Sequence, residues 1–218
     1  MSMMIKCIAI LFDLDGVLVD SGLTIERLWR RWAARHALDP DAVLALTPGR
    51  RAVETIQLAA PELDCEAEAL ALEADQICDL SELRAMPGAR DLTAALPPQY
   101  WAVVTSGSRF VATTRLNATG IQLPAVMVTA DDVSRGKPDP EGYLAAAASL
   151  GVDAADCVVV EDARSGVLAA RAAGMATVGI NGSPLGPRSD VSFAIRDLRD
   201  LQVQRTESGT GLLVSSCH

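Results

Sequence analysis

Asp13 and Asp15 stand one residue apart at the end of an apolar run, residues 7–12, and Gly16 follows at once. In a strand, residues i and i+2 point to the same side. Two carboxylates so close repel each other unless something uses them, and hard divalent cations take carboxylate and carbonyl oxygens. Taken alone, an Asp-x-Asp-Gly is only an acidic turn. Three further clusters change its meaning. Thr105, Ser106, Gly107 and Ser108 offer the hydroxyl and backbone N–H groups that a phosphate needs. Lys137 stands in Gly136-Lys137-Pro138-Asp139-Pro140, where the prolines restrict the backbone and so fix the lysine in place. Glu161 and Asp162 form a second acidic pair.

Each cluster follows a stretch that reads as a strand. Residues 5–12, 101–104, 125–129, 158–160 and 176–180 are short and apolar, as strands of a parallel sheet covered on both faces are. Between them, residues 89–96, 109–119, 139–150 and 165–173 read as helices, with Gly120 and Gly174 at two of the ends. Strand and helix alternating at this interval predict right-handed βαβ units. Residues 20–85 break the pattern. They read as helices over 23–36, 39–46, 50–60 and 64–79, with no strand among them. The fold class is therefore α/β, a Rossmann-like parallel sheet with helices on both faces and an inserted all-helical cap. The expected division is a core of residues 1–18 and 87–218 and a cap of residues 19–86. In an open α/β sheet, ligands bind beyond the carboxyl ends of the strands. The insert leaves the core there and is placed to cover the site.

Composition narrows the partners. The chain has 218 residues with a formal net charge of -9, from 28 acidic and 19 basic residues. Nucleic acid and anionic membranes are poor partners for such a surface. An anionic small molecule would need positive groups arranged locally. The five cysteines, Cys7, Cys65, Cys78, Cys157 and Cys217, have no C-x-x-C spacing and an odd count. That supports neither a disulfide framework nor a zinc site, and fits buried thiols in a reducing cytoplasm. No stretch approaches the length of a membrane span, and the first residues lack the pattern of a signal peptide.

The four clusters, in order, resemble the four motifs of the haloacid dehalogenase-like hydrolases. The resemblance is carried by LFDLDGVLVDS at residues 11–21, Val104-Thr105-Ser106-Gly107, GKPDPEGY at 136–143 and VVEDARSGVLAARAAGM at 159–175. The extended forms are similar to the branch that holds sugar phosphatases, 2-deoxyglucose-6-phosphatases, glycerol-phosphatases and β-phosphoglucomutase. The resemblance covers nearly the whole chain, helical insert included.

It implies roles. Asp13 would be the nucleophile that forms an aspartyl-phosphate, and Asp15 the acid that protonates the leaving oxygen and then the base that activates water. Mg²⁺ would be held by the Asp13 carboxylate, the Asp15 backbone carbonyl and Asp162, with Glu161 assisting through water. Thr105, Ser106 and Gly107 would bind the phosphoryl oxygens, and Lys137 would neutralise Asp13 and the phosphate together. Dehalogenases of this kind lack the second aspartate, so Asp15 argues against dehalogenation.

Substrate choice falls to the insert. Residues 47–51, Thr-Pro-Gly-Arg-Arg, resemble the Gly-Arg-Arg-Thr loop of sugar-phosphatase relatives, which makes Arg50 and Arg51 candidates to face the substrate. Pro48 stands where a histidine is common and Ala52 where a threonine is common, so the substrate can differ. Arg109 is a weaker candidate for the pocket. Trp29, Trp32 and His36 read as packing residues, and residues 211–215 as an edge strand. The expected function is a Mg²⁺-dependent phosphatase of a small phosphorylated sugar or polyol. The alternative is a phosphosugar mutase, which would share every residue named so far. A monomer or weak homodimer in the cytoplasm completes the expectation.

Overall fold

A computed structural model of the protein describes residues 4–78, 80–180, 185, 190–206 and 211–217. Its centre is a parallel sheet of six strands. In chain order these are β2 (Ala9–Phe12), β5 (Trp101–Val104), β6 (Met127–Val128), β7 (Cys157–Glu161), β8 (Ala176–Ile180) and β9 (Phe193–Ile195). They lie side by side as β6-β5-β2-β7-β8-β9. The chain moves from β2 to one side, then returns past it to β7, so the order reverses at β2. Asp13 follows β2 directly, at the switch point where an open sheet leaves a crevice for a ligand.

Alternate strand residues face opposite layers, as the period of two requires. Ile10, Phe12, Trp101, Val103, Val158 and Val160 pack in one core with Ala89 and Leu96 and with Ala112 and Leu116. Those four come from α5 (Ala89–Ala95), with the residue after it, and from α6 (Arg109–Ala118). Ala9, Leu11, Ala102, Val104, Cys157 and Val159 pack on the other face. There they meet Tyr143 and Ala146 of α7 (Glu141–Leu150) and Ala169 and Ala170 of α8 (Arg164–Ala172).

The insert has its own core. Helices α1 (Gly22–Arg35), α2 (Pro40–Leu44), α3 (Ala52–Ala59) and α4 (Cys65–Cys78) enclose Leu28, Trp29, Trp32, Val43, Ile56 and Leu72. Trp29 and Trp32 meet edge to face at 5.5 Å, and Trp32 Nε1 donates to Glu68 at 2.8 Å. His36 stacks on Trp32 at 4.8 Å, so all three serve packing as the helical spacing suggests.

The structure corrects the sequence reading in four places. The run 5–12 is not one strand. It breaks at Ile8 into β1 (Met4–Cys7) and β2. β1 joins a separate antiparallel sheet with β10 (Leu201–Arg205) and β11 (Leu212–Ser216). β11 is the middle strand of that sheet, in the order β1-β11-β10, rather than an edge. The stretch 20–85 is also not free of strands: β3 (Val19–Asp20) pairs with β4 (Arg84–Ala85) as the chain enters and leaves the helical unit. A two-residue strand shows too little periodicity to read in sequence. Finally, Cys7 and Cys157 are buried, but Cys65 is only half-buried and Cys217 is exposed. No disulfide joins these four. The expected positions at residue 79, 207–210 and His218, and the side chain of Cys78, lie outside the described residues. Among those described, no helix is long and apolar enough to cross a membrane.

Candidate active site

Beyond the carboxyl ends of β2, β5 and β7 lies a cleft of about 750 Å³ between the sheet and the helical insert. Asp13, Asp15, Thr105, Ser106, Gly107 and Asp162 line it from the core side, and Arg50, Gln76, Glu26 and Trp29 from the insert. Asp13 and Asp162, 149 positions apart in sequence, meet here because three parallel strands end at one edge.

Asp13 is 7% exposed, and its Oδ1 accepts from Lys137 Nζ at 2.5 Å. The same ammonium donates to Glu161 Oε1 at 2.6 Å and to the Val104 carbonyl at 3.2 Å. Glu161 is wholly buried, and every one of its bonds is a held one. Tyr143 donates its hydroxyl to Oε1 at 2.7 Å, and the backbone N–H groups of Asp162 and Ala163 donate to Oε2 at 3.0 Å. Glu161 thereby fixes both the lysine and the turn that carries Asp162.

Two glycines make room for these carboxylates. Gly16 has φ +80°, and a Cβ there would collide with the Asp162 carboxylate. A Cβ on Gly166, the third residue of α8, would overlap the Glu161 carboxylate. The backbone has been brought as close as a missing side chain allows.

The electrostatics fit a divalent cation. Carboxylate oxygens of Asp13, Glu161 and Asp162 lie within 4.8 Å of one another. Three such groups share one lysine, so charge on the acids is under-compensated in a buried place. Burial pushes the Asp13 carboxyl up to about 7, with Lys137 opposing and Glu161 adding to it. Burial, with Asp13 and Glu161 beside it, pushes Asp162 up to about 8. Burial by itself would lower the Lys137 value, but the Asp13 and Glu161 carboxylates outweigh it and hold the amine well above its ordinary range. An all-oxygen set that clings to protons for want of positive charge is what a hard cation satisfies.

This has a consequence for stability. The folded values of Asp13 and Asp162 lie above their ordinary 3.8. Below that value both folded and unfolded chains are protonated. As pH rises through about 7 and about 8, the folded protein must give up protons it had kept, and the advantage is lost. We therefore expect the metal-free protein to be less stable at about pH 8 than at about pH 5, measured by urea unfolding. A stability that rises across this window would contradict the assignment.

Thr105 is buried, and its Oγ1 accepts from Gly107 N–H at 3.1 Å, which shapes the turn before α6. Ser106 donates to the Gly49 carbonyl of the insert at 2.8 Å. Ser108 caps α6 and donates to Glu73 of α4. The turn is thus built to present N–H groups at a helix start, and it also touches the insert.

The two arginines of the 47–51 loop part company. Arg50 lines the cleft and donates one bond to the Leu46 carbonyl at 2.8 Å. Arg51 is not in that lining. Its guanidinium is spent on Glu54 at 2.6 Å and on the carbonyls of Val133 at 3.2 Å and Ser134 at 3.1 Å. Arg51 ties the insert to the core loop before Lys137. Arg109 likewise turns away, to Asp132 at 2.6 Å.

Sequence reasoning passed over Ser21, Tyr143, Gln76 and Arg115. Arg115 carried a readable signal: it falls on the buried stripe of α6 with Val111, Ala112 and Leu116, where an arginine is out of place.

The chain also resembles known proteins. A family model described as haloacid dehalogenase-like hydrolase matches residues 9–174. The chain is 40% identical over 210 residues to hexitol phosphatase A of Escherichia coli, covering 94% of this chain and 97% of that protein. It is 35% identical over 195 residues to 2-deoxyglucose-6-phosphate phosphatase 2 of Saccharomyces cerevisiae, covering 79% of each. Among solved structures, a hydrolase from Pseudomonas syringae superposes with a TM-score of 0.75 at 28% identity, covering 87% of this chain and 94% of that one. The chain belongs to the haloacid dehalogenase-like hydrolases, and it is a phosphoric monoester hydrolase of that family.

Proposed function

We propose that the protein hydrolyses the phosphate ester of a small sugar or polyol through an aspartyl-phosphate on Asp13, with Mg²⁺ as cofactor. The observation that carries this reading is the meeting of Asp13, Lys137 and Asp162 beside the Thr105 turn at the sheet's switch point. Asp13 and Asp162, with Glu161 and the Asp15 carbonyl, would hold the cation. When bound, it would neutralise the carboxylates, keep Asp13 ionised and offset charge on the phosphoryl oxygens.

Asp13 attacks phosphorus, a bond forms to its carboxylate oxygen, and the bond to the ester oxygen breaks. Asp15 gives that oxygen a proton, so an alcohol leaves rather than an alkoxide. Water then attacks the phosphorus, Asp15 takes its proton, and inorganic phosphate departs with Asp13 restored. Lys137 holds Asp13 aimed throughout. Thr105 and the N–H groups after it bind the phosphoryl oxygens, where positioning and charge supply most of the rate.

The helical insert of residues 19–86 acts as a cap that sets substrate choice. Asp20, Glu26 and Arg50 beside Trp29 offer donors, acceptors and one apolar face to a hydroxylated molecule. The relatives' names, hexitol phosphatase and 2-deoxyglucose-6-phosphate phosphatase, support a substrate of this class.

The test is phosphate release over a panel of hexitol, hexose and glycerol phosphates, with Mg²⁺ and with chelator. Release equal to the alcohol formed, and dependent on the metal, is expected. Isomerised product that depends on a bisphosphate activator would favour a mutase instead. The parting of the two arginines gives a second expectation. Arg50→Ala raises KM about tenfold, the loss of one charge-assisted contact, while Arg51→Ala leaves KM within about twofold and lowers Tm. Steady-state kinetics and thermal unfolding of the two variants check it. A third concerns the metal: since a bound cation competes with the protons on Asp13 and Asp162, Mg²⁺ raises Tm more at about pH 8 than at about pH 6.

A further inference from the structure

Arg115 is 4% exposed, yet it lies on a core helix whose other buried residues are apolar. Its guanidinium is divided between two elements. Nη1 donates to Asp15 Oδ2 at 2.6 Å, and Nη2 donates to Gln76 Oε1 at 2.7 Å. Gln76 belongs to α4 of the insert. The other oxygen of Asp15 accepts from Ser21 Oγ at 2.6 Å. Ser21 occupies the N-cap of α1, where a serine hydroxyl ordinarily serves the helix, but here the side chain makes no capping bond. The Asp15 carboxylate is therefore held on both sides by groups tied to the insert: Ser21 directly, Gln76 by way of Arg115.

We propose that Arg115 is a positioning residue for Asp15, aimed by Gln76, so that the acid–base carboxylate is set in place when the insert lies over the sheet edge. This rests on the reading of Asp15 given above. Arg115 is also on the cleft lining, so the competing role is direct contact with the phosphate. The two roles differ in what they help. A phosphate contact serves every phosphomonoester alike. A group that acts through the acid serves only those whose leaving oxygen needs a proton.

The experiment compares kcat/KM for glycerol 1-phosphate, which leaves as an alcohol, and p-nitrophenyl phosphate, which leaves as a stable phenolate. This ratio reports the steps up to phosphoenzyme formation, so the later water attack does not enter. Asp15→Asn is the reference and is expected to lose about 10²-fold to 10⁴-fold with the glycerol ester and far less with the aryl ester. Gln76→Leu, on a half-buried position of the insert, is expected to lose about tenfold with the glycerol ester and less than about twofold with the aryl ester, as a misplaced catalytic group does. Arg115→Lys keeps the charge but has one arm, and is expected to show the same selective loss. Equal losses on both esters, or none, in Gln76→Leu and Arg115→Lys would overturn the proposal while Asp15→Asn stays selective. Equal losses in Asp15→Asn itself would overturn the acid assignment, and the proposal with it.

Discussion

Asp13→Asn is expected to lower kcat by at least about 10⁴-fold while leaving the fold intact. The substitution keeps the shape of the side chain and leaves an oxygen that can still accept from Lys137, which sits 2.5 Å away. It removes the one property that matters, an anionic oxygen able to bond to phosphorus. It also removes a buried carboxyl whose folded value has been pushed up to about 7. Stability at neutral pH should therefore hold or rise. A variant that keeps its Tm and loses turnover separates chemistry from structure. Turnover within about tenfold of the parent would mean that another group attacks.

Lys137→Met is expected to fail differently. This lysine is the only cation in hydrogen-bond contact with Asp13 and Glu161 among the described residues. Removing it leaves the buried Asp13 and Glu161, with the part-buried Asp162 beside them, without the cation that pairs with them. Breaking a buried ion pair from one side costs about 3–5 kcal/mol, because the partner is left uncompensated. We expect a loss of that order in urea unfolding at neutral pH, together with loss of activity. The deficit should shrink as the pH falls, since protonating Asp13 and Asp162 removes the uncompensated charge. A variant as stable as the parent at about pH 8 would show that Lys137 does not balance these acids.

Much of this site was legible in the sequence because its parts sit at strand ends. The apolar runs 7–12, 101–104 and 158–160, followed by Asp13, Thr105 and Glu161, predict a sheet edge, and the sheet places them there. Lys137 was readable from the prolines that follow it, Pro138 and Pro140. Arg50 and Arg51 were not separable, since adjacent residues in a loop share every sequence feature. Only the fold shows that one reaches the cleft and the other binds Glu54 and two carbonyls. Arg115 needed a different habit of reading, in which a charge on a buried helical stripe counts as a signal.

The small antiparallel sheet was mostly hidden. β10 alternates apolar and polar residues over only five positions, β11 reads Leu-Leu-Val-Ser-Ser with no alternation, and β1 runs unbroken into β2 in sequence. The break at Ile8, where the N–H turns to the Asp156 carbonyl at 2.7 Å, has no local marker. Tertiary pairing decides it.

The most direct test of the account is to trap the covalent intermediate. The protein with Mg²⁺ is mixed with a reactive hexitol phosphate, quenched in acid during turnover, digested and mapped by mass spectrometry. A phosphate adduct on the peptide that holds Asp13, absent in Asp13→Asn, is the predicted result. An adduct on another residue, or continued phosphate release by Asp13→Asn, would contradict it.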